Sequence, residues 1–166
     1  MPRFRSREAK GYGGVVSQPF VSTTINKLDA KRRVSVPAGF RQILAKQDLQ
    51  GFYCLPSDGQ PALEGFGTPI LSYYQERQAA AEPLRSDEYD FQAQEVFGES
   101  RLLEFDDQGR VTLPPELLEH AGITERVLFV GLNQKFQIWD PERFDKVREE
   151  RLARARAARE ARESRP

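Results

Sequence analysis

Cysteine is almost missing from this chain of 166 residues, in which Cys54 stands alone. One thiol excludes an intramolecular disulfide and a thiolate zinc cluster. Its neighbours, Phe52-Tyr53-Cys54-Leu55, read as a buried strand in which the thiol packs as a small hydrophobe. Histidine is equally scarce: His120 is the sole imidazole, on a short expected helix that ends at Gly122. That place suits a solvated ring better than a general base. Net charge is absent as well, since 25 basic residues balance 25 acidic ones. Bulk charge therefore recruits neither nucleic acid nor an anionic membrane, and any polyanion binding must come from local segregation of charge. No apolar run approaches the ~20 residues of a membrane span, and there is no secretory h-region. The chain reads as cytoplasmic, with no membrane partner. A Gly-rich phosphate loop, a metal-spaced cluster and a nucleophile elbow are missing too. The paired carboxylates Asp106-Asp107 lie beside Arg110 in a turn, which favours ion pairing over acid–base work. The expectation is a protein that is not an enzyme, with no catalytic residues, metal, cofactor or small-molecule substrate.

What the chain does have is one short stretch written twice. Residues 28–41 read Leu-Asp-Ala-Lys-Arg-Arg-Val-Ser-Val-Pro-Ala-Gly-Phe-Arg, and residues 105–118 read Phe-Asp-Asp-Gln-Gly-Arg-Val-Thr-Leu-Pro-Pro-Glu-Leu-Leu. A shift of 77 positions lays Asp29 on Asp106, Arg33 on Arg110, Val34 on Val111 and Pro37 on Pro114. Ser35 then meets Thr112, Val36 meets Leu113 and Phe40 meets Leu117. A repeat at a fixed offset defines the architecture before any single element does. Units of about 50–60 residues fall near the lower limit for folding alone, so they are expected to lean on each other or on further subunits.

Taken in order, residues 1–19 carry Arg3, Arg5, Arg7 and Lys10 against Glu8, followed by glycines, and read as a flexible basic arm. Phe20 to Leu28 suits a strand of period two, Asp29 to Arg32 a tight turn and Arg33 to Val36 the returning strand. Pro37 opens a helix whose apolar face is Phe40, Ile43 and Leu44. Gly51 to Leu55 and Ala62-Leu63 read as a second hairpin around Ser57-Asp58-Gly59. Thr68-Pro69 looks like an N-cap with proline at the first helical position, opening a helix towards Pro83. Residues 84–99 are expected to form a second linking helix.

The pattern then restarts. Its elements are a strand over Arg101 to Phe105, a turn at Asp107-Gln108-Gly109, a return over Arg110 to Leu113 and a helix over Pro114 to His120. A hairpin over Val127 to Val130 and Lys135 to Trp139 leads to the cap Asp140-Pro141. The tail from Glu142 holds nine basic and six acidic residues and many alanines, the composition of an exposed helix held partly by charge pairs. The fold class is α+β: a first unit over 20–67, a helical linker over 68–99, a second unit over 100–140 and a C-terminal charged helix over 141–166.

An Asp and an Arg flanking a three-residue gap can bond across a hairpin turn and hold its shape. Asp29 and Asp106 are therefore the turn-shaping candidates. The two copies differ in charge. Residues 28–41 hold Lys31, Arg32, Arg33 and Arg41 against Asp29, whereas residues 105–118 hold Arg110 against Asp106, Asp107 and Glu116. A tip with three adjacent cations suits phosphates and guanine edges, and the acidic second tip is expected to be the poorer DNA reader.

The two Asp-x-x-x-Arg turns, each followed by a Val-x-Val-Pro-like strand end and a short helix, resemble the MraZ family. So does the run from Gly131 to Trp139, Gly-Leu-Asn-Gln-Lys-Phe-Gln-Ile-Trp; the resemblance spans about residues 20–148. It implies two tandem swapped-hairpin units of the SpoVT-AbrB type, a pseudo-twofold small β-barrel with flanking helices. It further implies a bacterial transcription regulator, nucleoid-associated, that forms a closed homo-oligomeric ring on short direct repeats of double-stranded DNA. Those repeats lie in the promoter of the division and cell wall gene cluster. In that family the basic residues of these turns contact DNA, which carries over to Lys31, Arg33 and Arg110. Two departures stand out. Arg32 replaces the glycine usual before the motif arginine, adding a cation or reshaping the turn, and a longer arm precedes Phe20. The alternative is an antitoxin-like or protein-interaction module of AbrB fold without the promoter role. Antitoxins generally carry one unit plus a tail, so the doubling argues against it.

Overall fold

A computed structural model describes residues 18–80 and 87–166. The arm expected over 1–19 lies, Gln18 and Pro19 apart, outside the described residues, as does the stretch around Pro83.

The elements follow the sequence pattern closely. β1 spans Thr23–Lys27 and β2 Arg33–Ser35, with the turn between them. α1 spans Ala38–Lys46 and buries Phe40, Ile43 and Leu44, the expected face. Pro37 caps α1 rather than opening it, one residue outside its expected place. β3 (Gly51–Pro56) and β4 (Ala62–Phe66) follow. α2 spans Thr68–Ala79 and takes Gly67 as its cap. The expectation of Thr68 as cap is therefore corrected: its hydroxyl donates instead to the Gln47 carbonyl at 3.4 Å, and so cannot turn inwards on its own helix. α3 (Asp87–Ala93) continues into a π turn over Gln94–Gly98.

In the second copy, β5 spans Arg101–Glu104 and β6 Arg110–Thr112. α4 spans Pro115–Ala121 and ends on Gly122 at φ +63°, a left-handed value that glycine adopts without a Cβ penalty. β7 (Arg126–Leu132) and β8 (Lys135–Trp139) lead to α5 (Pro141–Glu163). As the sequence leads one to expect, the Asp140 carboxylate caps α5 by accepting from the Arg143 amide at 3.1 Å. Trp139 holds the start of α5 through Phe144 (ring centroids 5.5 Å apart) and Val147, and every residue from Arg148 onward is exposed. The charge pairs expected along α5 are not formed: none of the ion pairs among the described residues lies in it. Fully solvated long side chains gain too little from pairing to offset the rotamer freedom lost.

Strand pairing is where the fold departs from the sequence reading. The segments flanking each Asp-x-x-x-Arg turn were expected to pair with each other as hairpins, and they do not. β1 pairs antiparallel with β7 of the other copy, β2 with β6, and β3 with β5. The result is a mixed α+β architecture: a six-stranded sheet in the order β1-β7-β8-β4-β3-β5 and a separate two-stranded ribbon of β2 and β6. In the ribbon Val34 lies opposite Val111, each 1% exposed. The short strands thus satisfy their ladder groups on each other while turning one apolar face inwards.

The core draws on both copies. Phe136 is fully buried, with ring centroids 5.1 Å from Phe20, 4.9 Å from Phe40, 5.0 Å from Phe52 and 6.4 Å from Phe129. Cys54 is fully buried in β3, and burial pushes its thiol well above the usual range, as befits a packing residue. No helix among the described residues is long and apolar enough to cross a membrane.

Candidate nucleic-acid interface

The antiparallel ribbon puts the two Asp-x-x-x-Arg turns at its opposite ends, each leading into the first residue of its own strand and lying beside the partner strand's exit. The Leu113 amide donates to the Arg32 carbonyl at 2.8 Å at one end, and the Val36 amide to the Gly109 carbonyl at 3.1 Å at the other. The pseudo-twofold relation foreshadowed by the repeat is thus carried by backbone bonds.

Within each turn the bonding is nearly identical. Asp29 Oδ1 accepts from the amides of Lys31 (3.0 Å) and Arg33 (2.8 Å), and Oδ2 from Arg33 Nε at 2.7 Å. Asp106 Oδ1 accepts from the amides of Gln108 and Arg110, both at 2.9 Å, and Oδ2 from Arg110 Nε at 2.8 Å. The amide of the motif arginine does most to hold each aspartate below the usual carboxylate range; desolvation opposes it next, and the guanidinium adds to the lowering. Both arginines are anchored through Nε alone. Their terminal amino groups have no protein partner among the described residues. A guanidinium fixed at one end and open at the other is prepared for a phosphate or a guanine edge, because little rotamer freedom remains to be lost.

Lys31 and Arg32 are exposed at the first turn. Arg32 occupies the left-handed region at φ +63°, where its counterpart Gly109 sits at φ +73°. The turn is therefore not reshaped by the departure from glycine; Arg32 adopts the glycine conformation and adds a cation. An L-residue other than glycine in this region costs about 1–2 kcal/mol. Arg32→Gly is accordingly expected to stabilise the fold by up to about 1 kcal/mol, after glycine's larger unfolded-state entropy is set against the relieved strain. A urea titration that found the variant less stable than the parent would contradict this.

Sequence reasoning missed Arg41. It counted this residue with the first tip, but α1 delivers it to the second. A Cβ built on Gly109 would lie 2.6 Å from Arg41 Cζ and 2.7 Å from its Nε, so the guanidinium lies flat against that glycine, which is buried. Arg41 Nε donates to the Val36 carbonyl at 3.1 Å. The second tip is thus not purely acidic in its surroundings, which corrects the charge contrast drawn from sequence. The signal available in the sequence was only that Arg41 follows the buried Phe40 in α1; its destination depends on the pairing of β2 with β6.

Two further polar side chains away from the turns are engaged within the fold. His120 is exposed with Nε2 3.1 Å from the Gln60 carbonyl oxygen. Glu64 accepts from Ser57 Oγ at 2.8 Å and Gln137 Nε2 at 3.0 Å and pairs with Lys135 at 3.1 Å, a network that secures β4 to β8.

Fold and site together define an α+β protein in which a repeated strand–turn–strand–helix unit presents two arginine-bearing turns on one ribbon. The family model described as "MraZ protein, putative antitoxin-like" matches residues 96–165, from the end of the linker through the second copy. The transcriptional regulator MraZ of Xanthobacter autotrophicus is 44% identical over 144 residues, covering 86% of this chain and 90% of that protein. That of Azorhizobium caulinodans is 43% identical over 125 residues (75% of this chain, 79% of the relative), and that of Rickettsia canadensis 38% over 127 (76% and 85%). This chain belongs to the MraZ family.

Proposed function

We propose that the chain is a sequence-specific DNA-binding transcription regulator. In this reading it acts as a ring-shaped homo-oligomer on short direct repeats in the promoter of the division and cell wall gene cluster, in the cytoplasm and on the nucleoid. Its relatives bear the name of transcriptional regulators. The observation that carries the reading is the doubled arrangement in which Arg33 and Arg110 are each tied through Nε to an aspartate with the terminal nitrogens left open. Lys31, Arg32, Arg33 and Arg110 are the proposed DNA contacts, and Asp29 and Asp106 shape the turns that present them. Residues 20–67 and 100–140 form two tandem swapped-hairpin units, joined by the linker over 68–99 and followed by the helical tail over 141–166. The exchange of strands between the copies supports that division.

A chain of zero net charge offers one duplex only the few cations gathered at its turns, and affinity scales with the number of phosphates neutralised. Several identical ribbons on one assembly supply that number when DNA repeats match subunit spacing, because each further contact becomes intramolecular. A gel shift at physiological salt with the DNA upstream of the protein's own gene is expected to show specific binding. Removing half of the repeats from that duplex should weaken binding far more than twofold. An affinity indifferent to repeat number would remove the multivalent ring from the reading. Absence of any specific shift would favour the second reading, a protein-interaction module. That reading draws on the "putative antitoxin-like" family description and on the long exposed stretch of α5 from Arg148.

A further inference from the structure

We infer that Arg41, carried by α1 of the first copy, is the DNA-contacting cation of the second turn, so that Arg41 and Arg110 form one composite phosphate-binding site. This rests on the DNA-binding reading above and extends it to a residue outside the Asp-x-x-x-Arg motif. By its own sequence the second turn sets Arg110 against Asp106 and Asp107, a balance that repels a duplex. The fold supplies what the turn lacks. Arg41 lies across the Cα of Gly109 and is fixed through Nε to the Val36 carbonyl, the same one-ended anchoring that Asp29 gives Arg33 and Asp106 gives Arg110. No carboxylate among the described residues is within ion-pair distance of Arg41, and its terminal nitrogens have no protein partner there. Three guanidinium groups are thus immobilised at the ribbon with their outer edges open, the geometry that suits phosphodiester oxygens.

The two ends of the ribbon acquire their extra cation by different routes. At the first turn it is Arg32, in the turn itself; the shift of 77 positions puts Leu118 where α4 could have carried an arginine. At the second turn a side chain at position 109 would displace the Arg41 guanidinium, and the cation arrives from α1 instead. Each end therefore has one motif arginine and one further arginine. The second tip becomes a DNA contact in its own right rather than a structural echo of the first.

The test uses full-length Arg41→Gln and the parent, with the duplex from upstream of the gene and a scrambled duplex of equal length, across a salt series. The variant is expected to lose about tenfold in affinity on both duplexes, with a shallower dependence of log affinity on log salt. A purely structural role would lower affinity without changing that slope, and this outcome overturns the inference, as does unchanged binding. As a check that needs no variant, DNA should shield Arg41 of the parent from a dicarbonyl arginine reagent, read by peptide mass. Equal modification with and without DNA overturns the inference even if Arg41→Gln fails to fold. A parent that binds neither duplex would instead remove the DNA-binding reading itself.

Discussion

Replacing Phe136 by alanine is expected to destabilise the fold by about 3–5 kcal/mol. The ring is fully buried and touches aromatic rings from both copies: Phe20, Phe40 and Phe52 from the first, Phe129 from the second. Truncation removes its transfer free energy and leaves a hole whose walls are themselves large rings, which cannot collapse into it without leaving their rotamers. Gly65 sharpens the point, because a Cβ there would come within 2.3 Å of the Phe136 ring, which therefore lies flat on the β4 backbone. Denaturant titrations of parent and variant at one fixed protein concentration would measure the loss; fixing the concentration keeps any self-association from altering apparent stability between the two. A loss below about 1 kcal/mol would mean that the cluster is not one cooperative core.

The second large effect is on DNA. Arg33→Ala is expected to reduce affinity for the upstream duplex to that for scrambled DNA, a fall of at least about a hundredfold. The substitution removes a guanidinium that is already fixed by Asp29, and it leaves that carboxylate without its ion-pair partner on the surface proposed to meet DNA. Both changes act in the same direction, and in an assembly both are repeated in every subunit. Fluorescence anisotropy on the two duplexes reads the ratio directly. Equal affinity for the upstream duplex in parent and variant would take Arg33 out of the interface. Arg110→Ala is a less clean comparison, since it also releases the turn over which Arg41 lies.

The type of nearly every element was legible in the sequence, because periodicity and capping residues are local. The buried face of α1 follows from the spacing of Phe40, Ile43 and Leu44, and the start of α5 from Asp140. The ion pair across each turn follows from the spacing of its Asp and Arg. The choice of strand partners was not legible. Alternation shows that a segment is half-buried, yet it leaves open which other segment completes its ladder. Here β1 and β2 both find theirs in the other copy. Arg41 was misplaced for the same reason: a residue of the first copy can serve the second turn only once β2 lies against β6. The left-handed Arg32 shows a different limit, since propensity argues for glycine there and the chain holds arginine regardless.

The exchange of strands also sets a timetable for synthesis. β1 lies in register with β7, Thr23 opposite Val130, so β1 finds its ladder partner only after about a hundred further residues have emerged from the ribosome. At typical elongation rates of about 5–20 residues per second, that is a wait of several seconds or more. Until then the nascent chain holds Phe20, Phe40 and Phe52 without Phe129 and Phe136 to cover them. Long-range pairing of this kind closes slowly once it can begin. The first copy cannot be finished before the second, so the protein is completed in one late step, and a nascent chain stalled in the linker would display an uncovered aromatic surface to whatever surveys the exit tunnel.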